Sequence, residues 1–343
     1  MKKILYILFT ASLLAVSCTQ EVSVTRDHDL DAEVTDMQTK MELTTLYCNL
    51  NNAANLDLEK LAEYLAAKSA DVAMFVAPVA TGGNFKEWLD AYAATVGDLT
   101  VLESRNSNGV LTMAALVKSE LTTETYSVAQ GSNLRNAVLH FKANGIHFVV
   151  TELDPARNAI PSDWETQVET INKNKSGSLV YDPDVLAERK AELANIIKQT
   201  LDNKSFLKDA HWMFAVNMNA DSPYDIVKYG REFLLEDCYD DVTDDFLATE
   251  TTYFTVNPVL SETDAYFGVN SLMTYNNLID CNAVHHSVYT PSSEGGVDGL
   301  RRNFLYATDE CWNMFQTFSF DTAAAVELGV TNYPIIVTLK SEE

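Results

Sequence analysis

Short apolar runs alternate along the chain with stretches whose apolar residues recur every three to four positions. Leu43 to Leu50, Val72 to Val79, Val110 to Val117 and Ala137 to Lys142 read as strands. Ile146 to Leu153, Trp212 to Val216, Leu300 to Ala307 and Ile335 to Leu339 read the same way. Between the first two, residues 55–67 place Leu58, Leu61, Ala62 and Leu65 on one helical face, with Asp57 or Asn55 in position to cap. The clearest helix runs from Pro183 to Leu201: Asp182 can cap, Pro183 suits the first turn, and Leu186, Leu193, Ile196 and Ile197 form the buried stripe. Strands and helices alternating over most of the length predict an α/β fold.

The 343 residues are 47% hydrophobic and 21% charged, which supplies a large core and excludes general disorder. At roughly 150 residues per domain the length suits about two domains or one large α/β unit. Thirteen Gly and eight Pro exclude collagen-like and low-complexity architectures. Lys and Arg total 24 against 49 Asp and Glu, a formal charge of −25, which argues against nucleic acid as a partner because phosphate neutralisation needs a basic face.

The N-terminus changes the picture of where such a chain would reside. Met1-Lys2-Lys3 precedes an apolar run, Ile4 to Val16, too short to span a bilayer as a helix. This is the pattern of a signal peptide over residues 1–17. Ala15-Val16-Ser17-Cys18 resembles the bacterial lipoprotein cleavage box, which would leave Cys18 as a lipid-modified N-terminus holding the protein to the outer membrane. Residues 18–40 are polar and read as a tether, and residues 41–343 as one domain. Loss of Lys2 and Lys3 takes the charge two units further, from −25 to −27. Whether the domain faces the periplasm or the cell surface is open at this point.

Four cysteines follow Cys18. Cys48 sits in a strand and reads as a core residue, while Cys238, Cys281 and Cys311 leave a Cys281–Cys311 bridge as a candidate in an exported protein. The acids Glu236, Asp237, Asp240, Asp241, Asp244 and Asp245 lack the spacing of a calcium loop and read as a solvated helical insertion. Cys281 with His285-His286 has no second ligand pair nearby and reads as a surface loop rather than a zinc site. Trp88, Trp164 and Trp312 could stack on sugars if exposed, whereas Trp212 opens a core strand.

Several short segments, in order, resemble the endonuclease/exonuclease/phosphatase superfamily over roughly residues 41–340. Asn49 falls at the Asn of the opening strand. Asp71-Val72-Ala73-Met74-Phe75-Val76-Ala77 resembles Asp-Val followed by apolar residues and Gln-Glu, with Ala77 at the metal-binding Glu. Thr151-Glu152-Leu153 resembles Thr-His-Leu, and Val216-Asn217-Met218-Asn219 resembles Gly-Asp-Phe-Asn. Arg301-Arg302-Asn303-Phe304-Leu305 resembles Arg-Ile-Asp-Tyr-Ile, and Val330-Thr331-Asn332-Tyr333-Pro334 resembles Ser-Asp-His-Tyr-Pro. The resemblance implies a four-layer sandwich of two mixed β-sheets packed face to face with helices outside.

It also implies a chemistry that these residues no longer carry. The family reaction needs a divalent metal, a carboxylate and His to handle water, and donors for the phosphate oxygens. Ala77 has no oxygen for a metal, Asn217 and Asn303 cannot take a proton, and Thr331 and Asn332 cannot cycle one. Glu152 puts negative charge where the family offers His. No catalytic residue and no cofactor are therefore expected. Asn49, Ala77, Glu152, Asn217, Asn219, Asn303, Thr331, Asn332 and Tyr333 mark a vestigial cleft or a neutral pocket for a glycan, a peptide or an outer-membrane protein. The alternatives are a Mg²⁺- or Mn²⁺-dependent phosphoesterase with a rearranged site drawing on Glu152 and the 236–245 acids, and a purely structural envelope lipoprotein. If Cys18 is the lipid anchor, Cys18→Ala moves the protein from the membrane pellet to the soluble fraction; retention in the pellet would remove the anchor.

Overall fold

The computed structural model describes residues 42–51, 53, 56–78, 82–129, 137–153, 183–218, 239–240, 245–246, 268–282 and 303–340. The signal segment 1–17, Cys18 and the tether 18–40 lie outside them, as do Trp164, Asn219, Cys238 and His285-His286.

Strand β1 (Glu42–Asn49) lies parallel to β2 (Val72–Val76), and helix α1 (Leu58–Lys68) connects them. The helix starts where the Asp57 carboxylate accepts the N–H groups of Glu59 and Lys60 at 3.0 and 3.2 Å. It ends at Ser69, in the left-handed region at φ 50°. Next come α2 (Gly82–Val96), β3 (Leu99–Arg105), β4 (Leu111–Lys118), β5 (Thr123–Tyr126), β6 (Val138–Ala143) and β7 (Ile146–Glu152). The second half holds α3 (Pro183–Gln199), β8 (Trp212–Asn217), β9 (Tyr239–Asp240), β10 (Asp245–Phe246), α4 (Gly268–Tyr275) and β11 (Leu278–Asp280). It closes with β12 (Asn303–Thr308), α5 (Asp309–Trp312), β13 (Phe315–Phe320), α6 (Thr322–Leu328) and β14 (Ile335–Lys340).

Two six-stranded mixed sheets result, in the orders β13-β14-β1-β2-β4-β3 and β11-β12-β8-β7-β6-β5. Each has one parallel pair at its centre, β1 with β2 and β7 with β8, and antiparallel neighbours elsewhere. They pack face to face with helices outside, the four-layer α/β sandwich expected from the resemblance. Alternation along each central strand divides the apolar residues between two cores. Leu43 and Tyr47 of β1, Val72, Met74 and Val76 of β2, and Phe148 and Val150 of β7 fill the layer between the sheets. Leu46 and Cys48 of β1 and Ala73 and Phe75 of β2 face the other way, against Leu61 and Leu65 of α1, Phe85 and Leu89 of α2, and Ala325 and Leu328 of α6. Burial on both faces explains why these strands are continuously apolar.

Asp71 ties the centre of the first sheet together. Its carboxylate accepts the Thr44 N–H at 2.8 Å and pairs with Lys118 Nζ at 2.9 Å, linking β1, β2 and β4. The strand predicted to reach Val79 stops at Val76. Ala77 still donates to Thr112 O at 2.8 Å, but Pro78 has no N–H to continue the ladder.

Three expectations change. Cys281 and Cys311 are buried free thiols in the layer between the sheets, not a disulfide; Cys281 Sγ is directed at the Ile279 carbonyl, 3.6 Å away. In the acidic segment read as a helical insertion, the described residues form the antiparallel pair β9–β10. Four further strands missed by periodicity, β3, β5, β11 and β13, are the edges of the two six-stranded sheets; β3, β5 and β13 expose polar positions on their open faces, while β11 is only three residues long. Among the described residues no helix is long and apolar enough to cross a membrane.

On the outer face of the second sheet, His140 Nε2 and His147 Nδ1 share a hydrogen bond at 3.0 Å. Tyr126, Phe206 and Trp212 enclose the pair, and Trp212 stacks on His147 at 4.1 Å. His147 Nε2 approaches Asp209 Oδ2 at 3.3 Å without hydrogen-bond alignment, and Lys142 holds Asp209 at 2.6 Å. Burial, then the neighbouring ring, lowers His140 to about 3. Burial lowers His147 to about 4 against the opposing pull of Asp209. Both rings fold neutral, and the unfolded chain protonates them near about 6.5. The stability they contribute is therefore complete above about pH 6.5 and is lost as the pH falls toward 3, by roughly 2 kcal/mol per histidine at pH 5. Urea midpoints that stay level from pH 7 to pH 5 would contradict this.

Candidate functional site

Strand alternation also builds the site. Inward positions on β7 are Ile146, Phe148, Val150 and then Glu152; on β8 they are Met213, Ala215 and then Asn217. The same rule carries β1 through Leu43 and Tyr47 to Asn49, and β12 back through Ala307 and Leu305 to Asn303. Each strand thus ends the apolar layer with one buried polar side chain. Asn49 and Asn303 are 1% exposed, Glu152 5% and Asn217 fully buried. Register brings three of them side by side, since Asn217 pairs with Glu152 on the parallel strand and with Asn303 on the antiparallel one.

Asn49 Nδ2 donates to Asn303 Oδ1 at 3.0 Å, a bond that crosses from one sheet to the other. The Tyr47 hydroxyl donates to the same oxygen at 3.4 Å. The Glu152 carboxylate accepts Asn51 Nδ2 on Oε2 at 2.6 Å and Asn217 Nδ2 on Oε1 at 2.7 Å. Asn51 also donates its backbone N–H to Asn49 Oδ1 at 3.0 Å, so it joins the two halves of the cluster. Burial, then the charge of Glu152, raises the Tyr47 hydroxyl well above its usual range and keeps it a neutral donor.

Of the residues singled out from the sequence, Asn49, Glu152, Asn217 and Asn303 form this connected group. Asn332, shortly before β14, is 1% exposed, and neither amide atom has a hydrogen-bond partner; Asn303 Nδ2 has none either. Thr331 beside it is half-buried. Ala77 does not join them. It continues the outward series Ala73, Phe75 and packs in the core against the helices, where Tyr333 also packs, 6.5 Å from the Phe320 ring. Asn219 lies outside the described residues. Tyr47 and Asn51 were missed, although each stands two positions from Asn49, the spacing that places residues on one strand face.

A Mg²⁺ or Mn²⁺ ion of the kind implied by the resemblance needs several oxygen ligands with carboxylates among them. Glu152 is the one carboxylate in the group, and both its oxygens already accept amide donors. Among the described residues no set of three His, Cys, Asp or Glu side chains is grouped to hold an ion. The described donor set does not fit the metal. Amides and a phenol can donate and accept hydrogen bonds, but they cannot move a proton near neutral pH.

Neither a protein-family profile nor a curated protein sequence matches the chain. Solved structures do match. The 3′–5′ exonuclease NExo from Neisseria meningitidis aligns with a TM-score of 0.55 at 11% identity, over 87% of this chain and 100% of that one. The chain has the deoxyribonuclease I-like fold. A Neisseria NExo described as a 3′ phosphatase bound to a product DNA hairpin aligns with a TM-score of 0.54 at 11% identity, over 88% of this chain and all of the other. The AP endonuclease LMAP from Leishmania major gives 0.50 at 11% identity, over 88% of this chain and 89% of its own. Within the deoxyribonuclease I-like fold, the amide cluster occupies one end of the layer between the sheets.

Asn217→Asp tests the hydrogen bonds that hold it. It replaces a donor to Glu152 with a second carboxylate, at a cost of about 3 kcal/mol at pH 7. The deficit relative to the parent should shrink at pH 4, where a protonated carboxyl can donate again. Equal stability of the two proteins at pH 7 would show that the pair carries no weight.

Proposed function

We propose that this chain is a non-catalytic, lipid-anchored protein of the outer membrane that uses a deoxyribonuclease I-like domain to bind an uncharged ligand or a partner protein, as an accessory of a nutrient-uptake system. The observation that carries the reading is the bonding of the strand-end side chains to one another. Asn217 and Asn51 hold Glu152, and Asn49 holds Asn303, where phosphoester hydrolysis would need groups free to bind metal and to exchange protons. The similar structures are nucleases and phosphatases, one of them bound to DNA. A chain of charge −25 with Glu152 in the cluster is poorly matched to such an anionic substrate.

The unpartnered Asn303 Nδ2 and the unpartnered Asn332 side-chain amide support the binding half of the proposal. A buried amide without a partner costs about 1–3 kcal/mol, so hydroxyl or carbonyl groups of a neutral ligand, or of water held with it, would be favoured there. Cys18 and the acidic surface support placement at the envelope beside other proteins or glycans.

The test is hydrolysis of a panel of phosphodiesters and phosphomonoesters by the full chain in detergent, with Mg²⁺ or Mn²⁺ and with a chelator as control. No chelator-sensitive turnover is expected. Turnover well above background would overturn the proposal in favour of a metal-dependent phosphoesterase with substitute ligands.

A further inference from the structure

At the outer edge of the first sheet, β13 pairs, among the described residues, only with β14. Beside it lies a groove of about 260 Å³ lined by Trp312, Asn313, Phe315, Gln316, Thr317 and Phe318. The Trp312 and Phe315 rings are half-buried, seated against the core between the sheets, with centroids 4.9 Å apart and planes tilted by 43°. Asn313, Gln316 and Thr317 are exposed. None of the six is charged, in a chain with 21% charged residues.

The backbone supplies a second observation. Pairing between β13 and β14 jumps from Phe315 with Leu339 to Thr317 with Thr338, so Gln316 is the extra residue of a β-bulge. In a regular strand successive side chains alternate, and one of Gln316 and Thr317 would face inward. The bulge lets Phe315 and Phe318 both contact the core while Gln316 and Thr317 both stay exposed. It also breaks the flat edge that an added peptide strand or a second copy would need.

We infer that this groove binds a neutral oligosaccharide. Anchored aromatic rings offer apolar faces to the C–H side of a sugar ring, and two amides and a hydroxyl can donate to and accept from its hydroxyl groups without bringing charge. The site is separate from the strand-end amides. Phe315 pairs with Leu339, which pairs with Leu43, six residues or about 20 Å along β1 from Asn49. The inference therefore does not rest on the function proposed for that cluster.

The experiment titrates the full chain in detergent with maltohexaose, cellohexaose, laminarihexaose, xylohexaose and mannohexaose, following tryptophan fluorescence and calorimetric heat. Binding of at least one is expected. Trp312→Ala should weaken it by at least about tenfold, the scale of losing an aromatic anchor. Because Trp312 also packs on the core, the exposed double variant Gln316→Ala/Thr317→Ala is the second arm; it should weaken binding with an unchanged melting temperature. The inference is overturned if none of the five binds, if binding survives in both variants, or if sedimentation shows a dimer that the double variant dissociates, which would assign the edge to a second copy. Hydrolysis of the phosphoester panel is read separately, so failure of either proposal leaves the other standing.

Discussion

The structure depends on the apolar layer between its two sheets. The central strands present apolar side chains inward at alternate positions, with Thr45 of β1 the polar exception, its hydroxyl donating to the Val337 carbonyl at 3.5 Å. Where the apolar series ends, the same geometry delivers Asn49, Glu152, Asn217 and Asn303 to one place. These groups are too buried for water to solvate, so each needs a partner within the protein. The Asn49–Asn303 bond closes the end of the layer from one sheet to the other, and the bonds from Asn51 and Asn217 to Glu152 supply the donors that a buried carboxylate requires.

This arrangement separates the fold from the chemistry of its structural neighbours. The fold is shared with a nuclease at 11% identity because layer packing tolerates almost any apolar residue of suitable size. A hydrolytic centre tolerates far less, since metal binding and proton transfer depend on particular atoms. Asp71, in the stretch that resembles the family motif, is a structural clamp joining β1, β2 and β4. Ala77, six positions on, contributes only a methyl group to the core against the helices.

The legible part of the fold was its centre. Strands such as β2, β4 and β8 are apolar on both faces because a sheet face or a helix covers each side, and a continuous apolar run needs no tertiary information to be read. The edges β3, β5 and β13 were not legible because an open side admits Glu, Arg, Gln and Thr, which weaken the period-two signal, and β11, at three residues, is too short to show a period. Helix α1 was legible with Asp57 or Asn55 as its cap, because a cap is a local device, and the structure selects Asp57. The candidate disulfide failed for the opposite reason, since thiol pairing depends on distances that spacing along the chain cannot supply.

By itself the amino-acid sequence determined the α/β class and the central strands. These follow from residue type and local period, which act over a few positions. Only the tertiary structure decided that Asn51 and Asn217 hold Glu152, that Asn332 is buried without a partner, and that a bulge places Gln316 beside Thr317 at an open edge. Those outcomes depend on register between strands far apart in the chain, and register is set by how the two sheets close on one another.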